Sequence, residues 1–163
     1  MKLARPHPDT TCAPARPGFE QGTDRDQHRP ALAKASPAAP VARRRGRVLV
    51  VDDEHIIGKV VSRALSREHD VTVLTSAGDA LKLLAEGRRF DVILCDLLMP
   101  QMTGMQLHAE LSRALPDQAA RMIFLTGGAV GAQERAFLEG GAAVLEKPFE
   151  TRQLQSLVNA RIV

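Results

Sequence analysis

Apolar runs and helix-period stretches alternate five times between residues 47 and 163. Arg47–Asp52 is a continuous apolar strand that closes on acid. Glu54–Ser66 then repeats apolar residues at Ile57, Val60, Val61, Ala64 and Leu65, the spacing of an amphipathic helix. Asp70–Thr75 reads as the second strand. Ser76 offers an N-cap hydroxyl to a helix through Ala80, Leu81, Leu83 and Leu84 that ends near Gly87. Phe90–Asp96 is the third strand, and Thr103 can cap a helix whose Leu107, Leu111 and Leu115 share one face before Pro116 stops it. Arg121–Thr126 is the fourth strand, its Met-Ile-Phe-Leu run suited to burial on both faces. A helix near Gly131–Glu139 follows, weakened at its start by Gly127, Gly128 and Gly131. Ala142–Glu146 is the fifth strand, and Glu150–Ala160 a last helix with Leu154, Leu157 and Val158 inward.

Five βα units in so short a segment predict an α/β fold: a doubly wound, five-stranded parallel sheet with helices on both faces. Strands one, three, four and five each end in a residue that phosphoryl chemistry can use, whereas strand two ends in Thr75-Ser76. An order of 2-1-3-4-5 places the silent strand at an edge and the switch point between strands one and three, where ligands of such sheets bind.

Composition divides the chain. Residues 1–47 hold seven of the ten prolines and ten Lys/Arg against four Asp/Glu; residues 48–163 hold twelve against fifteen. The basic character therefore belongs to the first segment, which is too poor in apolar residues to offset chain entropy. Residues 1–46 read as a disordered Pro/Ala/Arg-rich tail or linker and 47–163 as the folded domain. The domain has no Trp or Tyr, so its core is expected to be aliphatic, with Phe90, Phe124, Phe137 and Phe149. Cys12 falls in the tail and Cys95 in an apolar run, and neither is expected to be functional. No apolar stretch reaches the roughly 18 residues of a membrane span, and the N-terminus lacks a secretory signal, so a cytoplasmic location is expected. The basic run Arg43-Arg44-Arg45 with Arg47 reads as a solvated linker end rather than a nucleic-acid contact, since no aromatic platform accompanies it.

The strand ends carry the chemistry. Asp52, Asp53 and Asp96 would gather three carboxylates whose repulsion needs a counter-ion, and hard oxygen donors select Mg²⁺, with Mn²⁺ able to substitute. Asp53 and Asp96 are expected as direct ligands, Asp52 as an outer ligand through water, and the Leu98 backbone carbonyl as a third protein ligand. Asp96, at the end of a buried strand beside the metal, is a plausible nucleophile towards phosphorus. Lys147 would supply an ammonium and Thr126 a hydroxyl for the transferring oxygens, with Gly127 leaving room beside them.

Four motifs tie these residues to a family: VLVVDDE at 48–54, CDLLMP at 95–100, FLTGG at 124–128 and LEKPF at 145–149. In order and spacing, residues 47–163 resemble a response-regulator receiver domain of two-component signalling, a flavodoxin-like fold. The resemblance implies Asp96 as phosphoacceptor for the phosphohistidine of a sensor histidine kinase or phosphotransfer protein. It further implies Asp52 and Asp53 as the Mg²⁺-binding pair, Thr126 as the switch hydroxyl and Lys147 as the phosphate-contacting lysine. A cis bond between Lys147 and Pro148 is also implied. Two departures matter. The span from Thr126 to Lys147 is tight and holds several glycines, so its helix is expected to be short or mobile. Receivers also commonly carry Tyr or Phe three residues before the lysine, where this chain has Val144. A switch here would rest on Thr126 and movement of the Gly127–Gly131 loop.

The chain is thus expected to be a phosphoacceptor, not an enzyme in the ordinary sense, signalling to an unidentified downstream protein without an output domain of its own. An alternative is the detached C-terminal receiver of a hybrid histidine kinase, residues 1–46 being its linker. A Mg²⁺-dependent aspartyl-phosphate phosphohydrolase is disfavoured, because the acid such enzymes need two residues after the nucleophile is Leu98 here. DNA recognition is disfavoured too, for want of a recognition helix.

Overall fold

Alternation of inward and outward positions along five short strands builds the molecule. The computed structural model describes residues 44–128 and 131–162. Residues 1–43 of the expected tail, Cys12 among them, lie outside this range. The elements run β1 (Arg47–Val51), α1 (His55–Leu65), β2 (Asp70–Leu74), α2 (Ala77–Ala85), β3 (Val92–Asp96), α3 (Gly104–Ala114), α4 (Pro116–Ala119), β4 (Met122–Gly127), α5 (Ala132–Glu139), β5 (Val144–Lys147) and α6 (Thr151–Arg161). The strands form one parallel sheet in the order β2-β1-β3-β4-β5, as the distribution of chemistry along the chain predicts.

Successive residues of a strand face opposite sides, so each strand feeds two cores. Leu49, Val51, Ile93, Cys95 and Phe124 pack on one side against Ala80 and Leu84 of α2 and Leu107 and Leu111 of α3. Val48, Val50, Leu94, Ile123, Leu125 and Leu145 pack on the other against Val61 and Leu65 of α1 and Leu154 and Val158 of α6. Burial of β1, β3 and β4 on both faces explains why they read as unbroken apolar runs.

The caps expected at Ser76 and Thr103 are present: Ser76 accepts from the Asp79 N–H, and Thr103 closes a capping box with Gln106. The lysine-proline bond is cis.

Three boundaries and one helix-face position differ notably from the sequence reading. Strand β3 begins at Val92, because the Gln118 side chain takes the Phe90 N–H (2.9 Å) and donates to the Phe90 carbonyl (3.2 Å), replacing ladder partners. Pro116 does not simply stop α3; it opens the one-turn α4, whose fixed φ suits a first helical position. Strand β5 lies further along than Ala142–Glu146, in register with β4 so that Gly127 faces Lys147. Val60, counted among the inward positions of α1, is 51% exposed, and its neighbour Ile56 is 74% exposed.

Packing also reaches at least three residues before the boundary that composition suggests. Arg44 forms a forked pair with Asp91 at 2.9 and 3.2 Å. Arg45 reaches Asp70 at 2.7 Å and also donates to the Ser66 and His69 carbonyls at the end of α1. Gly46 is buried, its N–H donating to Nδ1 of the buried His69. Arg44 and Arg45 are structural anchors rather than a solvated linker end, while Arg43 lies outside the described residues.

Candidate functional site

The carboxyl ends of β1, β3, β4 and β5 bring Asp52, Asp96, Thr126 and Lys147 to one crevice. Asp52 follows the last residue of β1, where its N–H still bonds to the Leu74 carbonyl of β2. Its side chain is fully buried, with Oδ1 accepting from the Glu54 N–H (2.9 Å) and Oδ2 from Lys147 Nζ (2.8 Å). Asp96 closes β3 opposite Leu125. Its Oδ1 accepts from Lys147 Nζ at 2.6 Å and its Oδ2 from the Leu98 N–H at 2.9 Å. A single ammonium therefore bridges two buried carboxylates. Thr126, buried in β4, shares with Asp96, Lys147, Leu98 and Gly127 the walls of a cavity of about 150 Å³. Asp53 is exposed and is not among the residues that line the cavity.

Electrostatics make this arrangement tense. Burial raises the Asp96 pKa above the ordinary aspartate range, and hydrogen bonding to Lys147 only partly opposes it. Burial also works against the Lys147 charge, but bonds to Asp52 and Asp96 outweigh it and hold the ammonium's pKa above its usual value. One cation faces Asp52 and Asp96 directly, with Glu54 Oε1 at 3.9 Å. Negative charge is in excess. Among the described residues no cluster of three or more His, Cys, Asp or Glu is set for a metal. Mg²⁺, however, takes only one or two carboxylates and keeps its waters, so this all-oxygen set with its surplus charge fits it.

Two contributors escape a reading of motifs. Glu54 lines the cavity beside Lys147, and its signal is the third acid in the Asp52-Asp53-Glu54 run. Gly104, the first residue of α3, lies so near the Asp96 carbonyl that a Cβ would collide with it, which fixes α3 against the strand end. Nothing in its sequence surroundings beyond the preceding Thr103 cap points to that. The loop from Asp96 to Gly104 holds Gln101 at φ 66°, an uncommon conformation for a residue with a side chain.

Such a site, a buried carboxylate pair bridged by lysine and flanked by threonine at the carboxyl end of a 2-1-3-4-5 sheet, defines a class of phosphate-responsive signalling domains. The model of the response regulator receiver domain family matches residues 48–159, and the chain belongs to that family. Among curated relatives, the heme response regulator HssR of Staphylococcus aureus is 35% identical over 107 residues, covering 65% of this chain and 46% of the relative. HssR of Staphylococcus saprophyticus is 31% identical over 113 residues, covering 69% and 49%. The chain thus spans about half the length of these relatives. A response regulator receiver domain from Clostridium thermocellum superimposes with a TM-score of 0.61 at 30% identity, covering 71% of this chain and 93% of that one. The receiver domain of a signal transduction histidine kinase from Syntrophus aciditrophicus gives 0.63 at 27% identity, covering 72% and 89%. This is the receiver domain of a two-component response regulator, a family of signalling phosphoacceptors that generally bind Mg²⁺ and interact with histidine kinases and effectors.

Proposed function

We propose that Asp96 accepts a phosphoryl group from the phosphohistidine of a sensor histidine kinase or a phosphotransfer protein. The bridging of Asp52 and Asp96 by Lys147 beside a small cavity supports this reading above all else. An Asp96 oxygen attacks phosphorus, the P–N bond of the donor breaks, and the imidazole leaves with the electron pair. Lys147 moves its hydrogen bond from the carboxylate to a phosphoryl oxygen, and the Thr126 hydroxyl donates to another. Asp53 and Asp96 as direct ligands, Asp52 through water and the Leu98 carbonyl would hold Mg²⁺, which supplies charge neutralisation of the transferring group. The exposure of Asp53 favours its direct role, and the complete burial of Asp52 favours its role through water. The donor protein must cover the rim of the site, where exposed Ile56 and Val60 lie one turn apart on α1 and Leu98 is 46% exposed.

In this reading the domain is a cytoplasmic signalling module, with the residues before Arg44 a tail or linker and the phosphorylated form recognised by a downstream protein. The likeness to a histidine kinase's receiver favours, as a second reading, the detached receiver portion of a hybrid kinase. Val144, 38% exposed, stands where an aromatic side chain would couple to Thr126. The response would then pass through Thr126 and the Gly127–Gly131 loop alone. Labelling with a small acyl-phosphate donor and Mg²⁺ tests the assignment: Asp96→Asn is expected to abolish it with the fold intact. Wild-type labelling of that variant would refute the assignment.

A further inference from the structure

A second concave surface lies at the opposite end of the sheet. A groove of about 560 Å³ opens among the starts of β1, β3 and β4, with Arg47, Arg89, Asp91, Asp117 and Arg121 in its walls. The length of β3 puts it roughly 15 Å from Asp96.

Its charges do not cancel. The Asp91 carboxylate is taken up by the Arg44 fork and by the Arg47 backbone N–H at 2.8 Å, and Arg44 holds its pKa below the ordinary aspartate range. Arg89 donates to the Leu84 and Arg88 carbonyls, and Arg121 to the Asp91 carbonyl. Those acceptors orient the two side chains without neutralising them. Among the described residues, Arg47, Arg89 and Arg121 enter no ion pair. Three arginines outside any ion pair therefore line the groove, with Asp117 as the one lining carboxylate not already engaged. The wall between them is pre-set, because buried Gln118 clamps Phe90 through both its N–H and its carbonyl.

We propose that this groove binds a small anion bearing a chain of phosphates. Planar guanidinium forks match phosphate oxygens two at a time, and several of them converging on one concavity select for multiple charge. The volume suits a ligand of nucleotide size. A nucleic-acid polymer fits less well, since Phe90, the one aromatic residue in the walls, is buried and gives bases no platform for stacking.

Calorimetric titration of the full chain with tripolyphosphate, in metal-free buffer of low ionic strength, tests the proposal. Saturable binding is expected, weakened at least about tenfold in Arg47→Gln/Arg121→Gln and unchanged in Asp96→Asn. Neither arginine side chain is buried, so the double variant should retain the wild-type melting curve and acyl-phosphate labelling. A parallel titration with a nucleoside triphosphate separates two sources of the same chemistry: tighter binding points to a nucleotide, equal binding to the phosphate chain alone. Absence of saturation at millimolar ligand, or wild-type affinity in the double variant, would overturn the proposal. Loss of binding in Asp96→Asn would also overturn it, moving the anion to the phosphoacceptor site. Because labelling is read separately, failure here leaves the phosphoacceptor assignment standing, and the converse holds too.

Discussion

Helices α3 and α5 contribute to the same core, yet one is sealed into it and the other rests on it. Helix α3 buries Gly104, Leu107 and Leu111 and begins in a two-way capping box. Helix α5 buries no residue and begins at Gly131, which offers no side-chain cap. Its attachment comes from Phe137 and Leu138, both half-buried against the core. The difference has a functional sense. Elements that move in signalling come from the less stable parts of a fold. Thr126 and Gly127 end the strand that precedes α5, the helix with no buried residue.

Truncating matched leucines tests that contrast most severely. Leu111→Ala in α3 removes a fully buried side chain and should cost about 2–5 kcal/mol in denaturant melts. Leu138→Ala in α5 should cost roughly 1 kcal/mol, its side chain being half in solvent already. Equal losses would mean that α5 is as integral as α3.

A smaller effect should arise at the site itself. Burial raises the Asp96 pKa, so the folded protein binds this proton more tightly than the unfolded chain. The associated stability is complete below the usual aspartate pKa of 3.8 and is lost as pH rises through the folded value. At neutral pH the charged carboxylate is therefore a strain on the metal-free fold. Asp96→Asn should raise the melting temperature without metal by a few degrees, of the order of 1 kcal/mol. Added Mg²⁺ should close the gap, because the wild-type carboxylate gains more from the ion. If strain at the site is what loosens α5, hydrogen exchange in the variant should slow there and stay unchanged in α3. A wild-type melt unmoved by millimolar Mg²⁺ would count against the metal site.

These contrasts were unequally legible in the sequence. Asp52, Asp96, Thr126 and Lys147 could be read because each ends an apolar run, and parallel strands bring such ends together whatever the loops do. The weakness of α5 showed in the glycines at its start. Periodicity failed at Val60, since an apolar residue on the boundary of a helix face reads the same whether it packs or is presented to a partner. It failed again at Phe90, whose backbone is held by the side chain of Gln118, far along the chain. Composition assigned Arg44–Gly46 to the tail because it counts charges without seeing Asp70 and Asp91 opposite them. Gly104 depends on close approach to the Asp96 carbonyl, which only tertiary packing creates.

The finest test concerns what joins the two helices. His108 of α3 meets Phe124 of β4 and Phe137 of α5 edge-on, with ring centroids 5.8 and 5.5 Å away, and the two Phe rings are 5.0 Å apart. The Ser112 hydroxyl lies 3.5 Å from its Nδ1, on the same helix. Burial lowers the His108 pKa from 6.5, so the fold binds this proton less tightly than the unfolded chain does. Its stabilising share is then complete above that value and fades as pH falls through it. Because the ring is only partly buried, solvent screens the effect, and a modest change is expected rather than unfolding. Between pH 7.5 and 5.5, exchange at α5 amides, corrected for the intrinsic pH dependence, should quicken while α3 holds steady. His108→Leu keeps an apolar contact to both rings and removes the titrating proton, so the α5 response should flatten. An undiminished response in that variant would place the weak point of α5 elsewhere than at this aromatic contact.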